Sequence, residues 1–346
     1  MPGASLSMTP PESAAAPAAD SGLRDGFGRA IVDLRISVTD RCNYRCVYCR
    51  SGESASAAAG ELSWPEWRRL TAIFHALGIR KLRLTGGEPL LRPGLEDFIA
   101  SIAGLGWDDL ALTTNGDKLA GRAEGLRRAG LRRVTISLDS VEPEKFARIT
   151  RVPAGFERVQ NGIAAAQAAG LRPVKINAVL LRGYNDDEIE AFADFARRHA
   201  VVVRFIEFMP LEEGRLWTPE IVVPLREILA RLERRHPLRE LSHGTSETAC
   251  RYGFADGAAG EIGIIAPVSR PFCGHCSRIR MTADGQLRTC LFSLREWDLR
   301  ARMRAGASDS ELRDEILRAV AHKEERHHIG EPGFQRPART MVHIGG

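Results

Sequence analysis

The feature that most constrains the fold is a repeat in which short apolar segments alternate with amphipathic helical segments. Six apolar segments have strand character, and a helical stretch of about 10–15 residues follows each one. The strand segments are IVDLRISVT, KLRLTG, DLALTTNG, RVTISLDS, PVKINAVLL and VVVRFIEFM. Strands spaced in this way pair in parallel through right-handed crossovers. Because six units are too few for a closed eight-stranded barrel, we predict an α/β fold with a partial barrel; periodicity alone leaves a doubly wound sheet open.

Polar or glycine-rich segments stand directly after four of these strands. RCNYRCVYC (41–49) follows the first strand, TGGEP (85–89) the second, TTNG (113–116) the third and SLDS (137–140) the fourth. In parallel α/β folds the carboxyl ends of the strands carry the active site. The sequence therefore predicts one functional site at that edge of the sheet.

Length and composition indicate a large domain with additions at both ends. The chain has 346 residues, which is long for one ordinary domain. We predict a disordered Ala/Pro/Ser-rich leader at 1–25, a barrel at 26–240, a C-terminal domain at 241–335 and a tail at 336–346. No apolar run reaches about 18 residues and no signal layout is visible, so we expect a cytoplasmic protein without membrane contact.

The net charge of +5 comes mostly from arginine. The arginines stand beside acidic residues, as in EWRRL, and do not form basic blocks. This pattern argues against a nucleic-acid-binding surface.

Six of the seven cysteines fall into two groups of three, and Cys42, Cys46 and Cys49 form the first trio. A structural zinc site and a fully ligated iron–sulfur cluster each take four ligands. Zinc with a distant fourth ligand is one interpretation. We favour a [4Fe–4S] cluster with one iron open, because C-x3-C-x2-C with Tyr48 before the last cysteine matches the radical S-adenosylmethionine (SAM) pattern.

The TGGEP segment strengthens the interpretation of the first trio. The paired glycines allow a ligand to approach the backbone closely, and Glu88 adds a carboxylate. Taken alone, the segment is also compatible with a plain turn. Beside an open-iron cluster it resembles the radical SAM motif that holds the amino group of SAM.

The second trio is Cys273, Cys276 and Cys290, spaced C-x2-C-x13-C. The turn signal Asp284-Gly285 lies between them and would return Cys290 to the pair. We expect a second cluster with an open iron. His275 and Cys250 are the alternative fourth ligands, although a lone cysteine is more often simply buried.

Several segments together resemble the molybdenum-cofactor biosynthesis protein A family, the GTP 3′,8-cyclases, over residues from about 27 to 346. They are DLRISVTDRCNYRCVYC, LRLTGGEP, LTTNG, ISLDS, RFIEFM, FCGHCSRIRMTADGQLRTCLF and the terminal Ile-Gly-Gly. The resemblance implies a partial (βα)6 TIM-like barrel and a C-terminal appendage carrying the second iron–sulfur cluster. It also implies a lyase of the carbon–carbon class. The runner-up is a radical SAM enzyme with an auxiliary cluster that acts on a peptide or another substrate.

The resemblance assigns residues to each ligand. The first trio would hold the SAM-cleaving cluster, and the second trio the cluster that faces GTP. Positions matching SAM contacts are Tyr48, Gly87, Glu88, Ser137 and Met209. Positions matching GTP contacts are Arg35, Arg83, Thr113, Lys175, Arg278, Ile279 and Arg280. Catalytic roles are implied for Arg278, Arg280, Gly345 and Gly346.

Elementary chemistry supports the basic residues in this set. One arginine guanidinium group can donate hydrogen bonds to two phosphate oxygens at once, which suits a triphosphate ligand. Arg278 and Arg280 alternate by two, so they share a face if the segment is a strand. Arg35 and Lys175 interrupt apolar strands, where a buried cation requires an anionic partner.

The resemblance also implies a reaction and its partners. One electron cleaves SAM to a 5′-deoxyadenosyl radical, which takes the 3′ hydrogen of GTP, and C3′ then bonds to guanine C8. A reducing electron donor and a downstream cyclic pyranopterin monophosphate synthase are the expected partners. The sequence does not decide between a monomer and a homodimer.

Overall fold

The computed structural model describes residues 22–49, 60–242, 244 and 247–345. The strands are β1 (Asp33–Ser37), β2 (Lys81–Thr85), β3 (Asp109–Thr114), β4 (Arg133–Ser137), β5 (Lys175–Leu180), β6 (Val202–Glu207), β7 (Leu238–Glu240), β8 (Cys250–Phe254), β9 (Glu261–Ile265), β10 (Arg278–Met281), β11 (Gln286–Arg288) and β12 (Trp297–Asp298). The helices are α1 (Trp64–Ala76), α2 (Leu95–Ala103), α3 (Ala123–Arg128), α4 (Pro143–Thr150), α5 (Gly155–Ala168), α6 (Ile189–His199), α7 (Leu225–Arg235), α8 (Leu299–Arg304), α9 (Asp309–Ala321) and α10 (Met341–Ile344).

The strands form one sheet in the order β12-β11-β10-β1-β2-β3-β4-β5-β6-β9-β8-β7. Pairing is parallel from β10 through β1–β6 to β9, and antiparallel beyond each of these strands. All six predicted strands are present and pair in chain order with helices between them. The predicted α/β partial barrel is confirmed.

The C-terminal region extends the barrel sheet at both edges. β9 pairs with β6, and β10 pairs with β1. The predicted boundary at residue 240 therefore marks a change in sequence pattern and not the start of a separate sheet.

The predicted disordered leader, residues 1–25, includes residues that are packed in the core at its C-terminal end. Residues 1–21 lie outside the described part of the chain. Leu23 and Asp25 are buried, and the Leu23 N–H donates to the Leu77 carbonyl at 3.1 Å. The burial of Leu23 draws this segment into the core.

Helix α1 begins as its sequence predicts. The Ser63 hydroxyl accepts a hydrogen bond from the Glu66 N–H, and the Glu66 carboxylate accepts one from the Ser63 N–H at 2.6 Å. This reciprocal pair satisfies two free N–H groups at the helix start. Ser308 and Glu311 form the same capping box at α9, a helix that the sequence analysis did not identify.

The main core lies between the sheet and the helices, and it includes Trp67, Phe98 and Phe205. A smaller apolar cluster of Leu211, Phe292, Ile329 and Ile344 anchors the C-terminal segment. Burial of apolar surface at Ile344 therefore fixes the tail in place. Among the described helices, none has the length and apolar character required to cross a membrane.

Candidate active site

A cavity opens among the carboxyl ends of the parallel strands, where the sequence predicts the site. Most of the predicted residues line it: Arg35, Cys42, Cys46, Tyr48, Cys49, Arg83, Gly87, Thr113, Ser137, Met209, Arg278 and Arg280. Strand topology explains this convergence, because parallel strands deliver their following loops to one edge.

The first cysteine trio lies in the loop after β1 and lines this cavity. The three cysteines are free and half-buried. In the described chain no three His, Cys, Asp or Glu side chains converge as ligands of a single metal ion. Cysteines that hold a four-iron cluster each bind a different iron, so they need not meet at one point.

The paired glycines hold the base of the cysteine loop. The Gly87 N–H donates to the Thr39 carbonyl at 2.7 Å, and the Glu88 N–H donates to the Arg41 carbonyl at 2.8 Å. A Cβ on Gly87 would lie 2.4 Å from the Arg41 carbonyl oxygen, and one on Gly86 would lie 2.5 Å from that of Thr39. Only glycine permits this approach. The trio and its glycine support together form a surface that fits a cluster and a small ligand.

The carboxylate of Glu88 is engaged within the protein, and the predicted contact between Glu88 and SAM stays a prediction. Glu88 is fully buried and does not line the cavity. Its carboxylate accepts hydrogen bonds from the Leu90 N–H, the Thr114 hydroxyl and the Asn115 N–H. Burial raises the pKa of Glu88 to about 7, although these hydrogen bonds oppose the shift. Glu88 therefore positions the loop after β3.

Tyr48 is held by a carboxylate. Its hydroxyl donates to Asp139 Oδ2 at 2.6 Å, and the Val179 N–H donates to Oδ1 at 3.0 Å. Burial raises the pKa of Asp139 to about 6, against the effect of both hydrogen bonds. Asp139 thus fixes the tyrosine that precedes Cys49.

Three arginines form a row across neighbouring strands. Arg35 on β1 is in register with Arg83 on β2 and with Arg280 on β10. Burial lowers the pKa of Arg83 and of Arg280, each to about 10, and adjacent arginines add to both shifts. The pKa of Arg35 is lowered first by burial and then by Arg280 and Arg278. Mutual repulsion of buried cations makes this row a site for an anion.

A second cavity adjoins the first through Arg35, Arg83, Arg204 and Arg278, which line both. Lys175 lines this second cavity and not the first. Burial lowers the pKa of Lys175 to about 7, and Arg204, Arg133 and Arg83 add to the shift.

Arg204 is a candidate site residue that the sequence analysis missed. Its pKa is lowered by burial and then by Arg83 and Arg133, and its Nε has no hydrogen-bond partner in the described chain. A signal was present, because Arg204 interrupts an apolar strand as Arg35 and Lys175 do.

Ile279 is predicted to lie beside GTP, a contact that stays a prediction, and the structure places its side chain away from the cavity. Side chains alternate across a strand, so Arg278 and Arg280 face the cavity while Ile279 faces the other side. Ile279 is fully buried in the main core. Its side chain packs there and does not line the cavity.

The second trio lies between the main cavity and a surface groove. Phe272 and Leu291, the chain neighbours of Cys273 and Cys290, line the main cavity, while Cys290 itself lines the groove. Cys250 begins β8, where Arg270 Nη1 donates to its Sγ at 3.6 Å.

The thiols of the second trio differ in acidity. Burial raises the pKa of Cys290 to about 11, although Lys323 opposes this shift. Cys276 is also buried, yet Lys323 and Arg278 outweigh burial and lower its pKa. Nearby positive charge thus favours the thiolate form at Cys276.

The C-terminal segment enters the barrel. Arg280 donates a hydrogen bond to the Gly345 carbonyl, and Met341 and Val342 line the main cavity. A Cβ on Gly345, whose φ is +79°, would lie 2.1 Å from Thr85 Oγ1. Gly346 lies outside the described residues. The tail thus lies beside the arginine row at Gly345.

Comparison with known proteins agrees with this geometry. The family model of the Radical SAM superfamily matches residues 36–196, and that of Molybdenum Cofactor Synthesis C matches residues 201–329. The fold and the site therefore define a radical SAM protein of molybdenum cofactor synthesis.

Curated relatives specify the family within this class. A GTP 3′,8-cyclase of Syntrophomonas wolfei is 42% identical, with 94% of this chain and 100% of that protein covered. One of Mycolicibacterium smegmatis is 45% identical, with 95% of this chain and 93% of that protein covered. The chain belongs to the GTP 3′,8-cyclase family.

Solved structures share the fold at low sequence identity. Streptococcus suis SuiB bound to S-adenosylmethionine has a TM-score of 0.60 at 13% identity, covering 89% of this chain and 76% of that one. Native anSMEcpe with bound AdoMet has a TM-score of 0.55 at 15% identity, covering 89% of this chain and 93% of that one.

Proposed function

We propose that this chain converts GTP to (8S)-3′,8-cyclo-7,8-dihydroguanosine 5′-triphosphate, an early step of molybdenum cofactor biosynthesis. The observation that carries the proposal is the row of buried arginines, Arg280, Arg35 and Arg83, beside a cavity lined by the first cysteine trio. A triphosphate supplies the negative charge that such a row requires. The relatives in Syntrophomonas wolfei and Mycolicibacterium smegmatis are GTP 3′,8-cyclases, which supports the same substrate.

Each trio would hold one [4Fe–4S] cluster. Cys42, Cys46 and Cys49 line the main cavity, and the flanking residues of Cys273 and Cys290 face it from the other side. When bound, the clusters supply the electron that cleaves SAM and a second open iron near GTP. Neither trio includes a fourth cysteine, which leaves a coordination position for SAM in one case and for the guanine base in the other.

The chain's own residues bind and orient the two small molecules. Tyr48, Gly87, Ser137 and Met209 line the cavity near the first trio and would contact SAM. Thr113 and the arginine row would contact GTP, with Arg204 and Lys175 extending the positive surface. Bidentate arginine contacts would fix the triphosphate and thereby place the ribose toward SAM.

The tail contributes to the same site. Gly345 accepts a hydrogen bond from Arg280 and packs against Thr85. The carbonyl would hold Arg280 in place, and the small residues leave room for GTP. Gly346, which lies outside the described residues, is proposed to share the catalytic role of Gly345.

Two protein partners follow from the proposed chemistry. A low-potential electron donor must reduce the clusters, and a cyclic pyranopterin monophosphate synthase would accept the product.

The test is anaerobic incubation of the reconstituted protein with GTP, SAM and dithionite, followed by mass analysis. We expect 5′-deoxyadenosine and an isomer of GTP in equal amounts. Absence of both products from a protein with about eight irons, ~4 for each cluster, would overturn the proposal. Cleavage of SAM that depends on an added peptide and not on GTP would favour the peptide-modifying alternative.

A further inference from the structure

Lys323, which was not among the predicted site residues, links two of the backbone segments that carry the second cysteine trio. Lys323 follows α9 and is only 3% exposed. Its Nζ donates hydrogen bonds to the carbonyl of Arg278, at 3.0 Å, and to that of Thr289. Arg278 is two residues after Cys276, and Thr289 immediately precedes Cys290. One ammonium group thus ties the backbones that present two of the three cysteines.

The segment that carries this lysine is fixed on both sides. Arg29 donates to the carbonyl of Cys273 at 2.7 Å and also to the carbonyls of Glu324 and Glu325. The Thr289 hydroxyl donates to the Glu324 carboxylate at 2.7 Å. These contacts hold the backbone next to Lys323 close to Cys273. The Lys323 ammonium group therefore has little freedom to move away.

Lys323 differs from two other buried cations, Arg29 and Lys145, in that no carboxylate in the described ranges neutralises its charge. Arg29 pairs with Asp25 at 2.6 Å, and Lys145, another buried lysine, lies 2.9 Å from Asp187. Across the described ranges, no carboxylate forms an ion pair with Lys323. A buried ammonium without a counter-charge is costly, so an anion is expected beside it. The thiols of Cys273, Cys276 and Cys290 are all within its electrostatic reach.

We propose that Lys323 is a positioning residue that holds a positive charge against the second cluster and thereby raises its reduction potential. The inference rests on the proposed assignment of Cys273, Cys276 and Cys290 as cluster ligands. Reduction adds one electron to the cluster and no proton, so a fixed positive charge beside it stabilises the reduced form. Removal of this charge makes reduction harder.

The experiment measures the reduction potential of the second cluster in the full-length chain, reconstituted anaerobically. Replacing Cys42, Cys46 and Cys49 with serine leaves the second trio to bind the remaining cluster, which is titrated with dithionite and followed by electron paramagnetic resonance. In this background Lys323→Met and Lys323→Gln are expected to shift the one-electron equilibrium about tenfold toward the oxidised form, ~59 mV. Lys323→Arg keeps the charge and is expected to keep the potential. Lys118→Met, which removes a charge from a lysine whose side chain is 55% exposed, is the matched control.

Three outcomes overturn the proposal: an unchanged potential in Lys323→Met, an equal drop in Lys323→Arg, or loss of the cluster in every Lys323 variant including arginine. A separate variant tests whether Cys273 is a ligand of the second cluster. If it is not, the Cys273→Ser protein retains the iron of that cluster. If the potential shifts as expected while the chain with both cysteine trios and Lys323 intact yields no product from GTP, the proposed activity fails and the role of Lys323 stands.

Discussion

Arg35 of β1 stands opposite Arg280 of β10, so two arginines lie side by side on adjacent parallel strands. Strands in such a sheet are about 4.8 Å apart, a separation at which like charges repel strongly unless an anion lies between them. Arg35 Nε has no hydrogen-bond partner within the described part of the chain. The protein thus retains an unfavourable arrangement that a bound triphosphate would relieve.

Replacing Arg35 tests this relationship. Arg35→Met is expected to weaken GTP binding about 10- to 100-fold, since hydrogen bonds to charged groups contribute roughly 1.5–3 kcal/mol. Isothermal titration with the anaerobic protein measures the dissociation constant, and the iron content should not change. Arg128→Met, at a side chain that is 76% exposed, is the control. Wild-type affinity in Arg35→Met would contradict the triphosphate site.

The pKa of Lys175, about 7, makes a pH-dependent prediction. Bound phosphate favours the charged ammonium, so GTP binding takes up a proton when the free lysine is neutral. The dissociation constant should therefore rise with pH, by up to about tenfold per unit for one linked proton. Measurements from about pH 7.5 upward avoid the phosphate group, which titrates near 6.

A charge-preserving variant is the control for this pH effect. Lys175→Arg stays protonated and should remove the slope, although Arg204, Arg133 and Glu247 still face the same cavity. An identical slope in Lys175→Arg would assign the effect to another group.

The glycine support of the first trio is tested by adding one methyl group. Gly87→Ala places a Cβ against the Arg41 carbonyl, so the cysteine loop must shift. We expect the iron content to fall from about eight to about four atoms per chain, because the second trio is untouched. Gly104→Ala, where a Cβ meets nothing within 4 Å, should keep all the iron. Full iron in Gly87→Ala would show that the loop tolerates the methyl group.

Changes at the C-terminal glycines are expected to affect GTP turnover but not the binding of the clusters. Deleting Gly345 and Gly346, or replacing Gly345 by alanine, should lower GTP turnover about 100-fold through displacement of Arg280. Iron content should remain unchanged, since an added Cβ at Gly345 meets Thr85 and Ser37 and neither is a cluster ligand. Product formation at the wild-type rate in both variants would restrict the tail to a packing role.

The capping box of α1 gives a stability prediction. Ser63→Ala removes the side-chain acceptor for the Glu66 N–H and should cost about 1 kcal/mol of unfolding free energy. Denaturant titration measures the change. Ser101→Ala, at an exposed serine inside α2, is the control, and equal stability of the two variants would contradict the cap.

The sequence predicts most of the fold for two reasons. The spacing of apolar residues differs between strands and helices, and polar or glycine-rich segments mark the ends of four strands. The sequence does not predict how β9 and β10 extend the sheet, because their pairing with β6 and β1 depends on contacts far apart in the chain. The short helix α4 was missed for a different reason: its pattern merges with the loop before it.

Among the site residues, motif spacing predicts which segments reach the cavity, but it does not predict the direction of each side chain. Ile279 shares a motif with two arginines, yet strand alternation sends it into the core. Glu88 belongs to a motif that suggests a ligand contact, but its carboxylate satisfies loop N–H groups. Lys323 has no motif, since its role depends on carbonyls contributed by two distant segments.

The parallel pairing of β1 with β10 also determines when the protein can finish folding. One edge of β1 lacks its neighbour until residues 278–281 have been synthesised, about 240 residues later. During translation this strand presents unpaired N–H and carbonyl groups, a template for unwanted association. We therefore expect this edge of β1 to need protection from association during synthesis, a requirement that follows from that one pairing.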